Sequence, residues 1–452
     1  MNPRLRRWGG RAARRIGLRA PLPSRPRANG RIAFVGPMPP ASTGIASYDR
    51  AVLDGLARTG FLERHRTDIL WPLRPHHERS ILDYELGIYQ LGNNVEFHRG
   101  VYRLACSAPG LVVLHDLAID GLVRGLQRVG DPFGAAAARE AARLIVRVSD
   151  PDIARNEPLQ LVWCAGIARM ARGIVVHSDF CRRYLESVGC LTPVFTVPHP
   201  VVQDGVLMRR AEPRGRELRA SLEARGARTV VIAPGDINEA KCLDALVEAM
   251  VTLPADVHAV LVGRRIPGTD IAAAIADHAV GDRVSVHYDV SDDDFRAWLV
   301  AADIAVDLRF PHRGEVSGSL AMAMVAGLPT IVSATGTYLD VPEEMVVRVA
   351  PGRADPVELA ERIRMLSADP ERRASIGGAA RTHMGTLRAS EATAKGYEEA
   401  ILATRELVLD PTEPILHRWA TSLAEIGVDE TLVGDGYGTS YARALESFRR
   451  ST

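Results

Sequence analysis

Short apolar runs of four to six residues recur along this chain, each followed by a stretch with helical spacing. In the first part they fall at 31–35, 111–115, 173–177 and 194–197; in the second at 229–233, 257–262, 284–287, 304–308, 330–333 and 346–349. The runs are rich in β-branched residues and apolar at successive positions. That predicts parallel strands buried on both faces, alternating with helices. Helices are predicted at about 45–58, 180–187, 355–367, 371–384 and 390–407. Between 198 and 216 the alternation gives way to a connector containing Pro and Arg. The predicted fold is α/β, with two doubly wound, Rossmann-like domains facing a cleft. The expected boundaries are 1–28, a basic and disordered head; 29–205; 206–390; and 391–452, a helical tail broken by glycines at 434–438.

Composition narrows the class. A chain of 452 residues, 46% hydrophobic and 25% charged, is long enough for two or three full cores. Aromatics at 5% give no stacking platform for single-stranded nucleic acid, and no nucleic-acid partner is expected. The five cysteines, Cys106, Cys164, Cys181, Cys190 and Cys242, are scattered and form no C-x-x-C pair. This argues against a disulfide framework or zinc site and for a reducing, cytoplasmic setting. No apolar stretch is long enough to span a bilayer. Net charge is +1, yet residues 1–28 hold nine Arg and no acidic residue, so the rest carries −8. This head lacks the apolar core of a signal peptide. As alternatives, it is a disordered extension or touches anionic lipid at the inner face of the membrane through Arg6, Arg7, Trp8, Arg14 and Arg15.

Chemistry concentrates in a few places. In Glu315-Val-Ser-Gly-Ser-Leu320, small residues open a helix that ends at Gly327. The first-turn N–H groups have no intrahelical partner and suit a phosphate, while a carboxylate just before them suits sugar or ribose hydroxyls. Glu315 with Ser317, Gly318 and Ser319 therefore points to a nucleotide-sugar site; the alternative is an ordinary βαβ unit. The loop 37–43 before Gly44 is stiffened by prolines and opens a helix without a Cβ, although it lacks the G-x-G-x-x-G fingerprint. His115 and Asp116 end a predicted strand, where open α/β sheets bind ligands; alternatively, Asp116 caps the next helix. Lys241, after Gly235, is one of only two lysines and lies near a helix start, within reach of a diphosphate. Ser291 followed by Asp292, Asp293 and Asp294 reads as a capped helix start rather than a metal site. His76-His77 has no spaced third ligand.

Together these segments resemble the retaining glycosyltransferases of family 4, the glycosyl transferases group 1, over most of 31–407. The resemblance implies the GT-B fold, with the acceptor on the first domain and the nucleotide sugar on the second. It implies that Lys241 steadies the donor diphosphate. Glu315 and the amides near Ser317, Gly318 and Ser319 would hold sugar and phosphate. Val290 would lie near the base, Gly44 and Gly235 would border the donor, and His115 with Asp116 would lie at the reacting face. The C-terminal helix would pack back on the first domain. A same-face retaining route needs no metal or cofactor. Two departures stand out: Asp236 replaces an Arg, and Met322 replaces the second glutamate, with Glu315 offset by one from the first. Arg264, Arg265, Arg309 and Arg313 are candidates for the missing positive charge. The expected function is sugar transfer to a hydroxyl of a glycan, lipid-linked or small-molecule acceptor. The alternatives are a non-catalytic GT-B binder of a nucleotide sugar or protein and, on the same fold, a nucleotide-sugar epimerase.

Overall fold

The computed structural model describes residues 30–41, 43–143, 163–200, 205–266, 268–386 and 389–406. The basic head and the glycines at 434–438 lie outside them. Among the described residues, the chain forms two six-stranded parallel sheets. The first contains β1 (Ile32–Val35), β2 (Thr67–Leu70), β3 (Leu86–Leu91), β4 (Leu111–Leu114), β5 (Gly173–Val176) and β6 (Val194–Thr196), in the order β2-β1-β3-β4-β5-β6. The second contains β7 (Thr229–Pro234), β8 (Val257–Gly263), β9 (Val284–Tyr288), β10 (Ile304–Asp307), β11 (Thr330–Ser333) and β12 (Val346–Val349), in the order β12-β11-β10-β7-β8-β9. The helices that shape the site are α1 (Gly44–Arg58), α2 (Asp179–Ser187), α3 (Gly205–Glu223), α4 (Asp292–Ala301), α5 (Gly318–Ala326) and α6 (Ala389–Glu406).

Both sheets are covered on both faces, as the strand composition predicts. In β1, Ala33 and Val35 enter one apolar cluster, Ile32 and Phe34 another. In β7, Val231 and Ala233 face one way, Val230 and Ile232 the other. Because strand side chains alternate, a run apolar at every position requires helices on both sides.

Three departures from the sequence pattern have physical causes. β2 is an edge strand whose first three residues are half-buried or exposed, so it carries little apolar signal. β3 is entirely buried but includes Gly87 and Gln90, which break its apolar run. The segment read as a connector is largely the helix α3, with Pro213 inside it. Its Met208, Leu218 and Leu222 pack on one apolar cluster, and Ala211, at the same helical spacing, is buried. Gly215 lies on the same face, where a Cβ would come within 2.6 Å of Val300 of α4. Packing against α4 outweighs the breaker.

Helix α6 lies on the first sheet. Ala394, Tyr397, Ala400 and Ile401 share an apolar cluster with β1, β3, β4 and α1. The Tyr397 hydroxyl lies 2.8 Å from that of Tyr48 and accepts a hydrogen bond from Gln90 Nε2 at 3.4 Å. Tyr397→Ala is therefore expected to destabilise the first domain by about 3–5 kcal/mol, through a cavity and an orphaned Tyr48 hydroxyl, as read by urea unfolding.

Candidate active site

In an open α/β sheet, ligands bind where strand order reverses, outside the carboxyl ends of the strands. In the second sheet the chain runs outward from β7 through β9, then returns to place β10 on the other side of β7. The crevice between β7 and β10 is thus bordered by Gly235, which follows β7, and by Asp307, which ends β10.

Gly235 has φ +102°, and a Cβ there would lie 2.9 Å from Ser319 Oγ and 3.1 Å from Lys241 Nζ. Only glycine both adopts this backbone and leaves that space open. Lys241 is buried, and its ammonium donates to Pro234 O at 2.9 Å, to Ser319 Oγ at 2.6 Å and to Asp307 Oδ1. Burial lowers the Lys241 pKa, as does nearby Arg309, while Asp307 opposes both. Burial would raise the Asp307 pKa, but Lys241 and Arg309 together bring it below the ordinary value. The pair is an ammonium and a carboxylate.

Asp307 also accepts from Ser317 Oγ at 2.5 Å, Tyr338 OH at 2.9 Å and Ser319 Oγ at 3.2 Å. Ser317 caps α5 by accepting from Leu320 N at 3.2 Å. Gly318 is exposed at the first position of α5, and a Cβ there would meet nothing within 4 Å. The open end of this helix therefore faces free space, with the positive pole of the helix behind it.

Glu315 stands beside this end. Its Oε2 accepts from Arg313 N at 2.6 Å, and its Oε1 lies 3.1 Å from Arg309 Nε. Burial alone would lower the Arg309 pKa, but Tyr338, Glu315 and Asp307 raise it above the ordinary value. Of the four arginines named from sequence, Arg309 is the one beside the Lys241–Asp307 pair. Arg264 pairs with Asp236 at 2.7 Å, and Arg313 with Asp120 at 3.1 Å. The Arg264 pairing offsets the charge of Asp236. Arg265 stacks on Tyr288 at 5.2 Å. Val290 follows β9 and, with Met322, packs half-buried on the same apolar cluster. Ser291 accepts from Asp294 N at 3.1 Å and caps α4, as the sequence predicts.

The first domain supplies the facing wall. His115 follows β4, and its Nε2 lies 3.0 Å from Gln90 Oε1. It belongs to a ring cluster with Tyr48, His177 and His199; the Tyr48–His115 centroids are 4.5 Å apart and the His115–His177 centroids 5.1 Å. Burial, then mutual repulsion, holds His115 well below the ordinary imidazole range, and His199 falls to about 3 for the same reasons. Burial brings His177 to about 4. All three imidazoles are neutral at neutral pH. Asp116 does not cap the next helix; its Oδ2 accepts from Asn93 N at 3.0 Å. Burial, then Glu315 across the cleft, pushes its carboxyl up to about 7, against Asn93, Arg313 and Arg309. Gly44 begins α1 behind Thr43, whose side chain makes no capping bond.

The two walls are joined at the site itself. Arg313 O accepts from Leu117 N at 2.8 Å and Ala118 N at 3.0 Å. Cys181 Sγ donates to Gly314 O at 3.0 Å, and Phe180 N to Asp340 Oδ2 at 2.9 Å. Gly314 has φ +75°, and a Cβ would lie 2.8 Å from Leu117.

The structure thus brings Gly235, Lys241, Glu315, Ser317, Gly318 and Ser319 to one crevice, with Val290 on the same edge of the second sheet. His115 and Asp116 face it from the first. Asp307, Tyr338, His177 and His199 went unnamed in the sequence reading. A strand-end acid in Ile-Ala-Val-Asp307, and a histidine ending Gly-Ile-Val-Val-His177 as one ends Leu-Val-Val-Leu-His115, are the signals that point to two of them.

Residues 215–383 match the family model described as Glycosyl transferases group 1. The two sheets form the GT-B fold. Sucrose-phosphate synthase from Thermosynechococcus elongatus is 18% identical, covering 82% of this chain and 99% of its own at a TM-score of 0.57. Anabaena HepE in complex with UDP and glucose is 14% identical, with coverages of 82% and 99% and a TM-score of 0.56. WaaG, a glycosyltransferase involved in lipopolysaccharide biosynthesis, is 15% identical, with coverages of 82% and 99% and a TM-score of 0.53. No curated protein matches the sequence. The family match covers the second sheet with the Lys241–Asp307 crevice and supports a transferase. Among the described residues, no helix is long and apolar enough to cross a membrane.

Two outcomes are expected. Lys241→Ala leaves Asp307 a buried carboxylate without its ammonium and should cost about 3–5 kcal/mol in urea unfolding. Asp116 has a folded pKa above its unfolded value, so its contribution to stability is full below about pH 4 and lost as pH rises through about 7. Asp116→Asn removes that loss and keeps an acceptor for Asn93 N. Its Tm should exceed wild type at pH 8, by less at pH 5, and match it only below about pH 4.

Proposed function

We propose that this protein is a retaining, metal-independent glycosyltransferase of family 4. It moves a hexosyl group from a nucleotide sugar to a hydroxyl of a glycan, lipid-linked or small-molecule acceptor. The observation that carries the reading is the crevice at the β7–β10 switch point: an open helix end, a buried cation and a carboxylate meet within residues matching the group 1 family. HepE, solved with UDP and glucose, shares the fold and makes UDP-glucose a natural first donor to test.

In this reading the diphosphate lies at the first turn of α5, with Lys241 and Arg309 behind it and Glu315 at the donor sugar. His115 and Asp116 border the acceptor. The acceptor oxygen attacks the anomeric carbon on the face from which the diphosphate departs. The C–O bond to phosphate breaks, a new C–O bond forms, and the acceptor proton passes to the leaving phosphate oxygen. No residue need serve as general base. Neutral imidazoles suit such a wall, because they offer hydrogen bonds without trapping the developing phosphate charge. The positive groups instead stabilise the leaving diphosphate, where charge develops.

A binder without turnover is the second reading. It draws on Met322, which places an apolar side chain on α5 where the related enzymes carry a glutamate, and on a Lys241 ammonium already engaged by three acceptors.

Thermal stabilisation by UDP, GDP, dTDP and ADP, each with and without EDTA, tests donor binding. One nucleotide should raise Tm, and EDTA should leave the shift intact. Turnover is then read with the matching nucleotide sugar. Glu315→Gln is expected to lower kcat/KM for transfer or donor hydrolysis about 100-fold while the protein stays folded. Nucleotide binding with no turnover in the wild type would select the second reading; no nucleotide binding would remove the transferase reading and leave a non-catalytic binder of a protein partner.

A further inference from the structure

The strand β10 runs Ile-Ala-Val and ends on a carboxylate that solvent does not reach. A buried charge of this kind persists only when it is fully paired. Asp307 meets that condition with donors from three separate segments: Lys241 after β7, Ser317 and Ser319 at the start of α5, and Tyr338 after β11. A carboxylate offers about four lone-pair sites, so Asp307 is saturated. Lys241 has three N–H groups, and Pro234 O, Ser319 Oγ and Asp307 take all of them. In this arrangement the ammonium has no hydrogen left for a phosphate. The first turn of α5 is oriented by the same network, since Ser317 Oγ donates to Asp307 while accepting from Leu320 N.

We infer that Asp307 is a positioning residue of the donor cradle. It locks Lys241 as a buried strut beneath Ser319 and, through the Ser317 and Ser319 hydroxyls, sets the helix end that receives the diphosphate. This rests on the nucleotide-sugar reading of the crevice and adds to it a division of labour. Lys241 acts through its field and through Ser319, while the contacts to phosphate come from the open end of α5. Asp307 never touches the donor.

The test compares wild type with Asp307→Asn and with the double variant Asp307→Asn/Lys241→Met, which removes both charges of the pair. Binding is measured by calorimetry from pH 6 to 9, using whichever of UDP, GDP, dTDP and ADP stabilises the wild type, and inorganic pyrophosphate as a probe without a base. The charged groups facing Lys241 are Asp307, Arg309 and Asp236. Those facing Asp307 are Lys241, Arg309 and, through its hydroxyl, Tyr338. With Asp307 neutral, a buried Lys241 beside Arg309 sheds its proton more readily. Asp307→Asn should therefore bind about tenfold or more weakly, with the ratio of its affinity to that of wild type falling further as pH rises. The double variant should recover the wild-type Tm yet remain about tenfold weaker at every pH. Either folded variant binding within about threefold of wild type at every pH overturns the positioning role. If Asp307→Asn does not fold, the double variant alone decides by that criterion. A wild type that binds none of these probes defeats the donor reading itself, and the inference with it.

Discussion

A buried ion pair holds the second sheet and its crevice together. Lys241 and Asp307 come from opposite sides of the one place where strand order in the second sheet reverses. Each would be costly to bury alone. Together, with two serines, a tyrosine hydroxyl and a backbone carbonyl, they satisfy one another. The result ties β7, β10, the start of α5 and the segment after β11 into one unit. Such a unit suits a site that must present amides and positive charge in fixed positions rather than assemble them on demand.

The rest of the crevice follows from the charges around that pair. Arg309 and Lys241 supply two cations; Asp307 and Glu315 face them. Asp236 would add a third anion at the mouth, but Arg264 holds it in an ion pair. Across the cleft, Asp116 is buried and lies close enough to Glu315 for the two carboxyls to repel, and both effects, burial first, favour its protonated form. The histidines beside it stay neutral because they are desolvated and crowd one another. The wall facing the crevice is therefore polar yet almost uncharged. The segment carrying Arg313, Gly314 and Glu315 hydrogen-bonds to that wall through its backbone, so this loop and the first domain are in direct contact.

Much of the architecture was legible in the chain. Strand runs apolar at every position announced sheets buried on both faces, and small residues ahead of Leu320 announced an open helix end. The omissions have definable causes. An edge strand such as β2 needs no continuous apolar pattern, since only part of it is covered. β3 lies beside β1 at the centre of the first sheet and buries Gln90, whose amide serves His115 and Tyr397. A polar residue there looks like an interruption until its partners are known. Pro213 suggested a break, whereas the apolar face formed by Met208, Leu218 and Leu222 keeps α3 intact.

By itself, the sequence determined the class of fold, the two-part organisation and the residue types able to hold a phosphate and a sugar, because periodicity and local backbone chemistry act over a few residues. Only the tertiary structure decided which of those residues meet. Asp307 is an unremarkable strand end until the sheet places it against Lys241, 66 positions earlier in the chain. Arg309, Arg264 and Arg313 are equivalent on paper, yet folding assigns one to the crevice, one to Asp236 and one to Asp120. Electrostatic roles depend on distance and burial through space, and neither is set by position along the chain.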